Sequence, residues 1–117
     1  MEFSKQLVKL DKAVALERLG GDEELLKEVA AIFLDEYPTL ITEIGAAIQA
    51  QNAGQVERAA HSLKGSVSNF GSDAAWQAAS EMEIMGRAND LTKAEPAYAH
   101  LVQVMEAIHP ELSALAA

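Results

Sequence analysis

The sequence predicts an all-α fold, an antiparallel four-helix bundle with a short additional N-terminal helix. Half of its 117 residues are apolar but only 5% are aromatic. The apolar residues are mostly Ala, Leu, Val, Ile and Met, which favours helices over strands. Only three prolines and seven glycines interrupt the chain, and no strand-like alternation of apolar and polar residues persists. Long helices joined by short loops are typical of a bundle, and the length fits one domain over residues 1–117.

Glycine and capping signals delimit the first two helices. A short helix over residues 11–19 ends at the pair Gly20-Gly21, because glycine is favoured just after a helix C-terminus. Asp22 is a favoured N-cap for a second helix, which the apolar pattern extends over residues 23–51. The apolar positions of this helix are Leu25, Leu26, Val29, Ile32, Phe33, Ile41, Ile44 and Ile48.

Pro38 interrupts the second predicted helix. Proline removes one backbone hydrogen bond and clashes with the preceding turn, so we expect a kink or a split near Tyr37. The sequence Asn-Ala-Gly at residues 52–54 predicts a loop. A third helix then spans residues 55–70 and ends at Gly71.

Two further start signals delimit the last two helices. Ser72 can cap a fourth helix over residues 73–88, and residues 89–90, Asn-Asp, form the next loop. Thr92 and Glu95 have the spacing of a capping box, which predicts the start of a last helix that runs to the C-terminus.

Charge and composition exclude several classes of function. The net charge of −9 disfavours binding to nucleic acids and to anionic membranes, whose phosphates repel the chain. Because the chain has no cysteine, it forms no disulfide and no thiolate metal site. Residues 1–5 lack the pattern of a secretory signal, and the longest apolar run is far too short to span a membrane. We therefore expect a cytoplasmic protein.

The third helix carries a histidine on its polar face. At about 100° per residue, the apolar positions form one stripe that is centred roughly opposite His61. The stripe comprises Val56, Ala59, Ala60, Leu63, Val67 and Phe70, whereas Glu57, Arg58, Lys64, Gly65 and Ser68 share the face of His61. A lone helical histidine is more often a boundary or core residue than a functional one, but this phase disfavours a core position.

The neighbours of His61 suit an exposed nucleophile. An unperturbed imidazole is mostly neutral at pH 7, and its ring nitrogen can attack an activated phosphorus atom. Lys64, one turn on, can offset the charge of an acquired phosphoryl group, and Ser68 can donate a hydrogen bond to it. Glycine inside a helix costs about 0.5–1 kcal/mol relative to alanine, and close approach of another molecule at Gly65 would account for that cost. The chain has no glycine-rich phosphate loop, so the donor must arrive already phosphorylated.

Helix geometry adds Glu83 to the candidate site. His61 precedes the turn at Gly71 by about as many residues as Glu83 follows it, so antiparallel helices place both at one height. Glu83 lies in a stripe with Trp76, Ala79 and Gly86. If this stripe faces the third helix, Glu83 can accept a hydrogen bond from the second ring nitrogen of His61 and fix its tautomer. The alternative is a solvated glutamate at a helix edge.

These residues resemble the signature of histidine phosphotransfer domains. The resemblance rests on His61-Ser62-Leu63-Lys64-Gly65-Ser66, on Asn69-Phe70-Gly71, on Leu19-Gly20-Gly21-Asp22 with Leu25-Leu26 and Phe33, and on Ala59-Ala60 and Met82-Glu83 with Gly86. It covers roughly the whole chain. Val67 and Trp76 depart from the residues that are common in the family, and both positions look structural.

The resemblance implies a four-helix bundle that carries phosphoryl groups between aspartates of receiver domains. His61 would be the phosphorylated residue, with Lys64 and Gly65 as its neighbours and Glu83 at a position where some members bind the histidine. The expected partners are response-regulator receiver domains, with a hybrid sensor histidine kinase as a further candidate. They would dock around His61, with Arg58, Lys64 and Gly65 in the contact. Magnesium would belong to the receiver, and the chain itself would need no cofactor. We expect a monomeric carrier without autokinase activity.

Three other interpretations stay open at this stage. The first is a helical adaptor that binds a signalling partner without phosphotransfer. The second is a metal or cofactor bundle, which is disfavoured because His61, His100 and His109 show no paired spacing. The third is a receptor-kinase phosphorylation domain that an ATP-dependent kinase domain of the same protein serves.

Overall fold

Five α-helices make up the fold of residues 10–117, the part of the chain that this computed structural model describes. They are α1 (Lys12–Arg18), α2 (Glu23–Gln49), α3 (Ala53–Val67), α4 (Asp73–Arg87) and α5 (Ala94–Ala116). A short 3₁₀ turn, Ser68–Phe70, follows α3, and no strand occurs within the described range. In the bundle, α2 packs against α3, α3 against α4 and α4 against α5. The contact between α5 and α2 closes the four-helix bundle. The predicted all-α class is confirmed.

Side-chain caps fix the starts of the first four helices. In each, the capping oxygen accepts a hydrogen bond from the backbone N–H three residues later, which satisfies one of the unpaired donors of the first turn. The pairs are Asp11 with Val14 at 3.2 Å, Asp22 with Leu25 at 3.0 Å, Asn52 with Gln55 at 3.1 Å and Ser72 with Ala75 at 3.3 Å. The predicted caps Asp22 and Ser72 are confirmed.

The turn between α2 and α3 lies earlier than the sequence predicted. Gln51 has a φ of 55°, in the left-handed region, so α2 ends at Gln49 and not at residue 51. The predicted loop over residues 52–54 is wrong, because Asn52 is the N-cap and the next two residues form the first turn of α3. At the other end α3 stops at Val67, and the chain reaches Gly71, with a φ of 71°, through the 3₁₀ turn.

Pro38 does not split α2, which is continuous from Glu23 to Gln49. Proline leaves the carbonyl of Leu34 without its helical partner. Because Pro38 lies on the exposed face of the helix, water can satisfy that carbonyl. The buried side chains of Phe33 and Tyr37 hold the same turns in the bundle core.

The predicted capping box before α5 is also wrong. The N-cap of α5 is Lys93, which makes no side-chain capping bond. Thr92 instead donates from its backbone N–H and its hydroxyl to Asp90, at 3.1 and 2.7 Å. These two bonds lower the pKa of Asp90 below its usual value, so the loop uses Thr92 as a donor to a carboxylate rather than as a cap.

The core lies between the four long helices. Every residue of the predicted stripe on α3 is buried, as are Ile44, Met82, Leu101 and Ile108 from the other three helices. Two predicted apolar positions of α2, Leu25 and Ile32, lie outside this core and are exposed.

Gly86 allows α3 and α4 to approach at backbone distance. A Cβ atom at this position would lie 2.6 Å from the carbonyl oxygen of Ala53 and 2.6 Å from the backbone nitrogen of Glu57. These are backbone atoms that cannot move aside, so the helix spacing depends on the missing side chain.

No helix in residues 10–117 is both long enough and apolar enough to cross a membrane. The expected absence of a secretory signal concerns residues 1–5, which lie outside the described residues.

Gly86→Ala should destabilise the bundle by about 1–3 kcal/mol, because the added methyl group overpacks the α3–α4 contact. Urea denaturation followed by circular dichroism measures the free energy of unfolding. Gly65→Ala is the matched control, since nothing lies within 4 Å of a Cβ atom at that position. It should leave the free energy of unfolding unchanged or raise it by about 0.5–1 kcal/mol through helix propensity. Equal effects of the two substitutions would contradict the close approach at Gly86.

Candidate functional site

His61 stands on the exposed side of α3. Its side chain is 69% exposed, whereas Ala60 and Leu63 on the same helix are buried. The helical phase predicted this placement. Gly65, one turn on, is also exposed, and a Cβ atom there would meet no other atom within 4 Å. Packing within residues 10–117 therefore does not require glycine at position 65.

Glu83 lies beside His61, at the height that the helix geometry predicted. Oε2 of Glu83 is 2.9 Å from Nδ1 of His61. Glu83 is only 3% exposed, so it is not the solvated edge residue of the alternative interpretation. The close approach at Gly86, one turn further along α4, brings the carboxylate within reach of α3.

Two cations hold Glu83 in its ionised form. Nζ of Lys64 lies 2.5 Å from Oε1, in an ion pair that lacks the angle of a regular hydrogen bond. Nη2 of Arg87 donates to Oε2 at 2.7 Å. The short contact with Lys64 is the main cause that lowers the pKa of Glu83. Burial opposes this effect, and the contact with His61 lowers the pKa further. An ionised carboxylate is only an acceptor, so Nδ1 of His61 carries the hydrogen.

Sequence analysis missed Arg87 and its second partner. Nε of Arg87 donates to Oε2 of Glu57 at 3.0 Å, so the guanidinium links a carboxylate of α3 to one of α4. These carboxylates raise the pKa of Arg87, with Glu57 as the largest cause. The four-residue spacing from Glu83 to Arg87 was a signal for this pair, because such residues are neighbours on a helix.

The ammonium of Lys64 also faces an aromatic ring. Nζ lies 5.4 Å from the centre of the Trp76 ring, within the range of a cation–π interaction. Trp76 is 42% exposed. The departure from the family pattern at this position therefore places an aromatic face beside the candidate site and not in the core.

The structure does not bring every predicted residue to the imidazole. The hydroxyl of Ser68 donates to the backbone carbonyl of Gly65 at 2.6 Å, so it is engaged with the last turn of α3. Arg58 donates to the side chain of Gln55 at 3.0 Å and is exposed. It lines an open depression of about 580 Å³ that includes His61, Ser62 and Glu83.

The arrangement leaves one ring nitrogen of His61 for chemistry. Nδ1 is engaged with Glu83, and no residue in the described part of the chain forms a hydrogen bond with Nε2. No group of three or more potential metal ligands clusters within residues 10–117. His100 and His109 lie on α5, and the ring of His109 bonds instead to the hydroxyl of Tyr37, at 2.5 Å.

Comparisons with known proteins agree on one family. A family model described as Hpt domain matches residues 28–115. The fold is similar to that of histidine-containing phosphotransfer protein B (HptB) from Pseudomonas aeruginosa PAO1, with a TM-score of 0.81 at 22% identity over 89% of this chain and 90% of that one. It is also similar to the HPT domain of a sensor hybrid histidine kinase from Shewanella, with a TM-score of 0.82 at 17% identity over 93% and 94% of the two chains. A search of curated proteins found no match.

Glu83→Gln should lower the free energy of unfolding near pH 7 by about 1–2 kcal/mol, because Lys64 loses its buried, charged partner. The folded-state pKa of Glu83 lies below the usual value of 4.5. Ionised Glu83 therefore stabilises the fold above its unfolded-state pKa, and this contribution is lost as the pH falls through the folded-state pKa. The difference between wild type and variant should shrink below about pH 4.5.

Urea denaturation of both proteins across that range measures this difference. Glu81→Gln is the control, because it removes a carboxylate from an exposed position on the other side of α4. A difference that stays constant down to about pH 2 would show that Glu83 gains nothing from its ionised form.

Proposed function

Because this chain belongs to the Hpt domain family, we propose that His61 is the residue that accepts a phosphoryl group from a receiver-domain aspartyl phosphate and passes it to another receiver aspartate. The chain is a phosphorelay intermediate of two-component signal transduction. Domains of this family are phosphotransfer carriers that interact with receiver domains and hybrid kinases.

The observation that carries the proposal is the environment of the His61 ring. The imidazole is largely exposed, and its Nδ1–H donates to the buried Glu83 carboxylate at 2.9 Å. This bond holds the tautomer in which Nε2 keeps a lone pair, and it limits rotation of the ring. Nε2 is therefore a positioned nucleophile that a partner can approach from solvent.

The surrounding cations suit a dianionic phosphoryl group. Lys64 and Arg87 both touch Glu83, and Arg58 lines the depression beside His61. Charge-assisted hydrogen bonds from such groups can stabilise a phosphoryl group on Nε2. The aspartyl phosphate is already activated, so transfer needs mostly positioning and the Mg²⁺ that the receiver supplies.

Gly65 contributes space rather than chemistry. The missing side chain leaves the surface one turn from His61 open, and Lys64 and Arg58 flank it on the same helix face. We assign this surface to the docking of the receiver, whose aspartate must come within bonding distance of Nε2.

The remaining parts of the proposal concern how the carrier works in the cell. The chain carries no glycine-rich phosphate loop, which supports a carrier that lacks autokinase activity and needs no cofactor of its own. We propose that it acts as a monomer, because only four large apolar side chains within residues 10–117 are exposed: Leu25, Ile32, Trp76 and Ile84. A cytoplasmic location is compatible with the cysteine-free sequence.

His61→Gln should abolish phosphoryl transfer, because the amide is no nucleophile. The assay incubates the protein with radiolabelled, phosphorylated receiver domains and follows the label. Wild-type protein should acquire a phosphate that is labile to acid and stable to alkali, and the variant should acquire none. Because His61 is exposed, the variant should keep the circular dichroism spectrum of the wild type. Labelling of His61→Gln would show that another residue accepts the phosphoryl group. An unlabelled wild type with every receiver would leave a helical adaptor as the function.

Gly65→Leu should slow transfer by about tenfold or more, because a misplacement of even 1 Å at the reacting atoms is costly. Position 65 is exposed and a Cβ atom there meets no other atom within 4 Å, so folding should be intact. Ala99→Leu is the matched control, since it adds the same bulk to an exposed position of α5. Transfer rates from one phosphorylated receiver measure the effect. Equal rates for Gly65→Leu and wild type would remove Gly65 from the docking surface.

A further inference from the structure

We propose that Glu83 keeps a proton on Nδ1 of His61 while the phosphoryl group is bound to Nε2, so that His61 departs as a neutral imidazole when it passes the group on. This inference rests on the proposed function, because it concerns the phosphorylated state of His61. It gives Glu83 a role in the release of the phosphoryl group, beyond the choice of tautomer for its capture.

The bond changes define what the site must do. In capture, the lone pair on Nε2 attacks phosphorus, the bond from phosphorus to the aspartate oxygen breaks, and its electron pair stays on the departing carboxylate. No proton is lost, so the product ring carries phosphorus on Nε2, hydrogen on Nδ1 and a positive charge. In release, a receiver carboxylate attacks phosphorus, and the electron pair of the P–N bond returns to Nε2.

The proton on Nδ1 decides how good a leaving group the imidazole is. If Nδ1 keeps its hydrogen, the departing ring is a neutral imidazole. If Nδ1 has lost it, the ring must leave as an imidazolate, which is far more basic and a much poorer leaving group. The ring of His61 is 69% exposed, so water can remove this proton unless another group holds it.

Glu83 is placed to hold that proton. Its Oε2 is 2.9 Å from Nδ1, and it is only 3% exposed, so few water molecules compete for the bond. A carboxylate beside a ring favours the cationic form of that ring. Lys64 and Arg87 keep this carboxylate ionised, which makes them positioning residues for the leaving group as well as cations near the phosphoryl group.

The other charged groups around the ring do not offer the same contact. On α3, Glu57 is engaged with Arg87, and Arg58 with Gln55. On the side of α2, Asp35 and Glu36 line a separate groove with Ser62 and Ser66. Among residues 10–117, Glu83 is thus the acid that contacts Nδ1.

The test compares the pH dependence of phosphorylated wild type with that of phosphorylated Glu83→Gln. Glutamine keeps the shape and an accepting oxygen but removes the charge. Phosphoramidate, a small phosphoryl donor, loads His61 without any partner. Nitrogen NMR then gives the pH midpoint of ring deprotonation, and transfer to one receiver domain gives the rate at each pH.

The wild-type midpoint should lie about one pH unit or more above that of Glu83→Gln. Transfer from the variant should match wild type near pH 6 and be about tenfold slower near pH 8, where its ring has lost the proton. Glu81→Gln, an acid of α4 that points to solvent, should behave as wild type. Equal midpoints and equal pH profiles for wild type and Glu83→Gln would overturn the inference.

A second comparison needs no substitution in the site. The midpoint of phosphorylated wild type should also exceed that of free Nε2-phosphohistidine, and an equal midpoint would overturn the inference even if Glu83→Gln failed to fold. The two proposals fail differently. A protein that neither phosphoramidate nor any receiver can label at His61 refutes the proposed function. A protein that is labelled and transfers with an unchanged pH profile refutes only the role of Glu83.

Discussion

The contact between α3 and α4 at Gly86 is the constraint on which the site depends. A Cβ atom there would lie 2.6 Å from backbone atoms of Ala53 and Glu57. The two helix backbones are therefore closer at position 86 than any residue with a side chain would permit. From this point His61 lies one turn along α3 beyond Glu57, and Glu83 lies one turn back along α4. Because the helices are antiparallel, both steps lead towards the same end of the bundle. The short distance between the helix axes then lets the side chain of Glu83 reach His61. A wider spacing would leave Glu83 without a way to reach Nδ1.

Burial of Glu83 is costly, and the site offsets that cost with charge. A carboxylate out of water needs partners for its oxygens, and here Lys64, Arg87 and His61 provide them. The cations come from both helices, so the network also ties α3 to α4. Removing one of these residues leaves the charges of the others without a partner. Their contributions to the free energy of unfolding are therefore coupled. The same buried carboxylate contacts Nδ1 of His61, so the stability of the fold and the orientation of the imidazole are coupled through one residue.

Much of this arrangement could be predicted from the sequence because it follows helix periodicity. The phase of α3 placed His61 on the exposed face, and equal rise along two antiparallel helices placed Glu83 beside it. The predictions that were wrong depend on local side-chain hydrogen bonds, about which helix periodicity gives no information. The sequence predicts a loop at Asn52, which instead caps α3. It predicts a cap at Thr92, which instead donates a hydrogen bond to Asp90. Short polar side chains can serve either purpose, and the three-dimensional contacts decide which.

Long side chains set the other limit of prediction. Arg87 was missed because its reach across to Glu57 depends on the exact spacing of the helices, which one sequence does not give. Ser68 was expected near the phosphoryl group, but the chain leaves the α-helix there for a 3₁₀ turn and its hydroxyl bonds the Gly65 carbonyl. The predictable part of the site is thus the part carried by regular helix positions, His61, Gly65 and Glu83. The cations that contact Glu83 lie at the ends of flexible side chains, whose contacts helix periodicity does not fix.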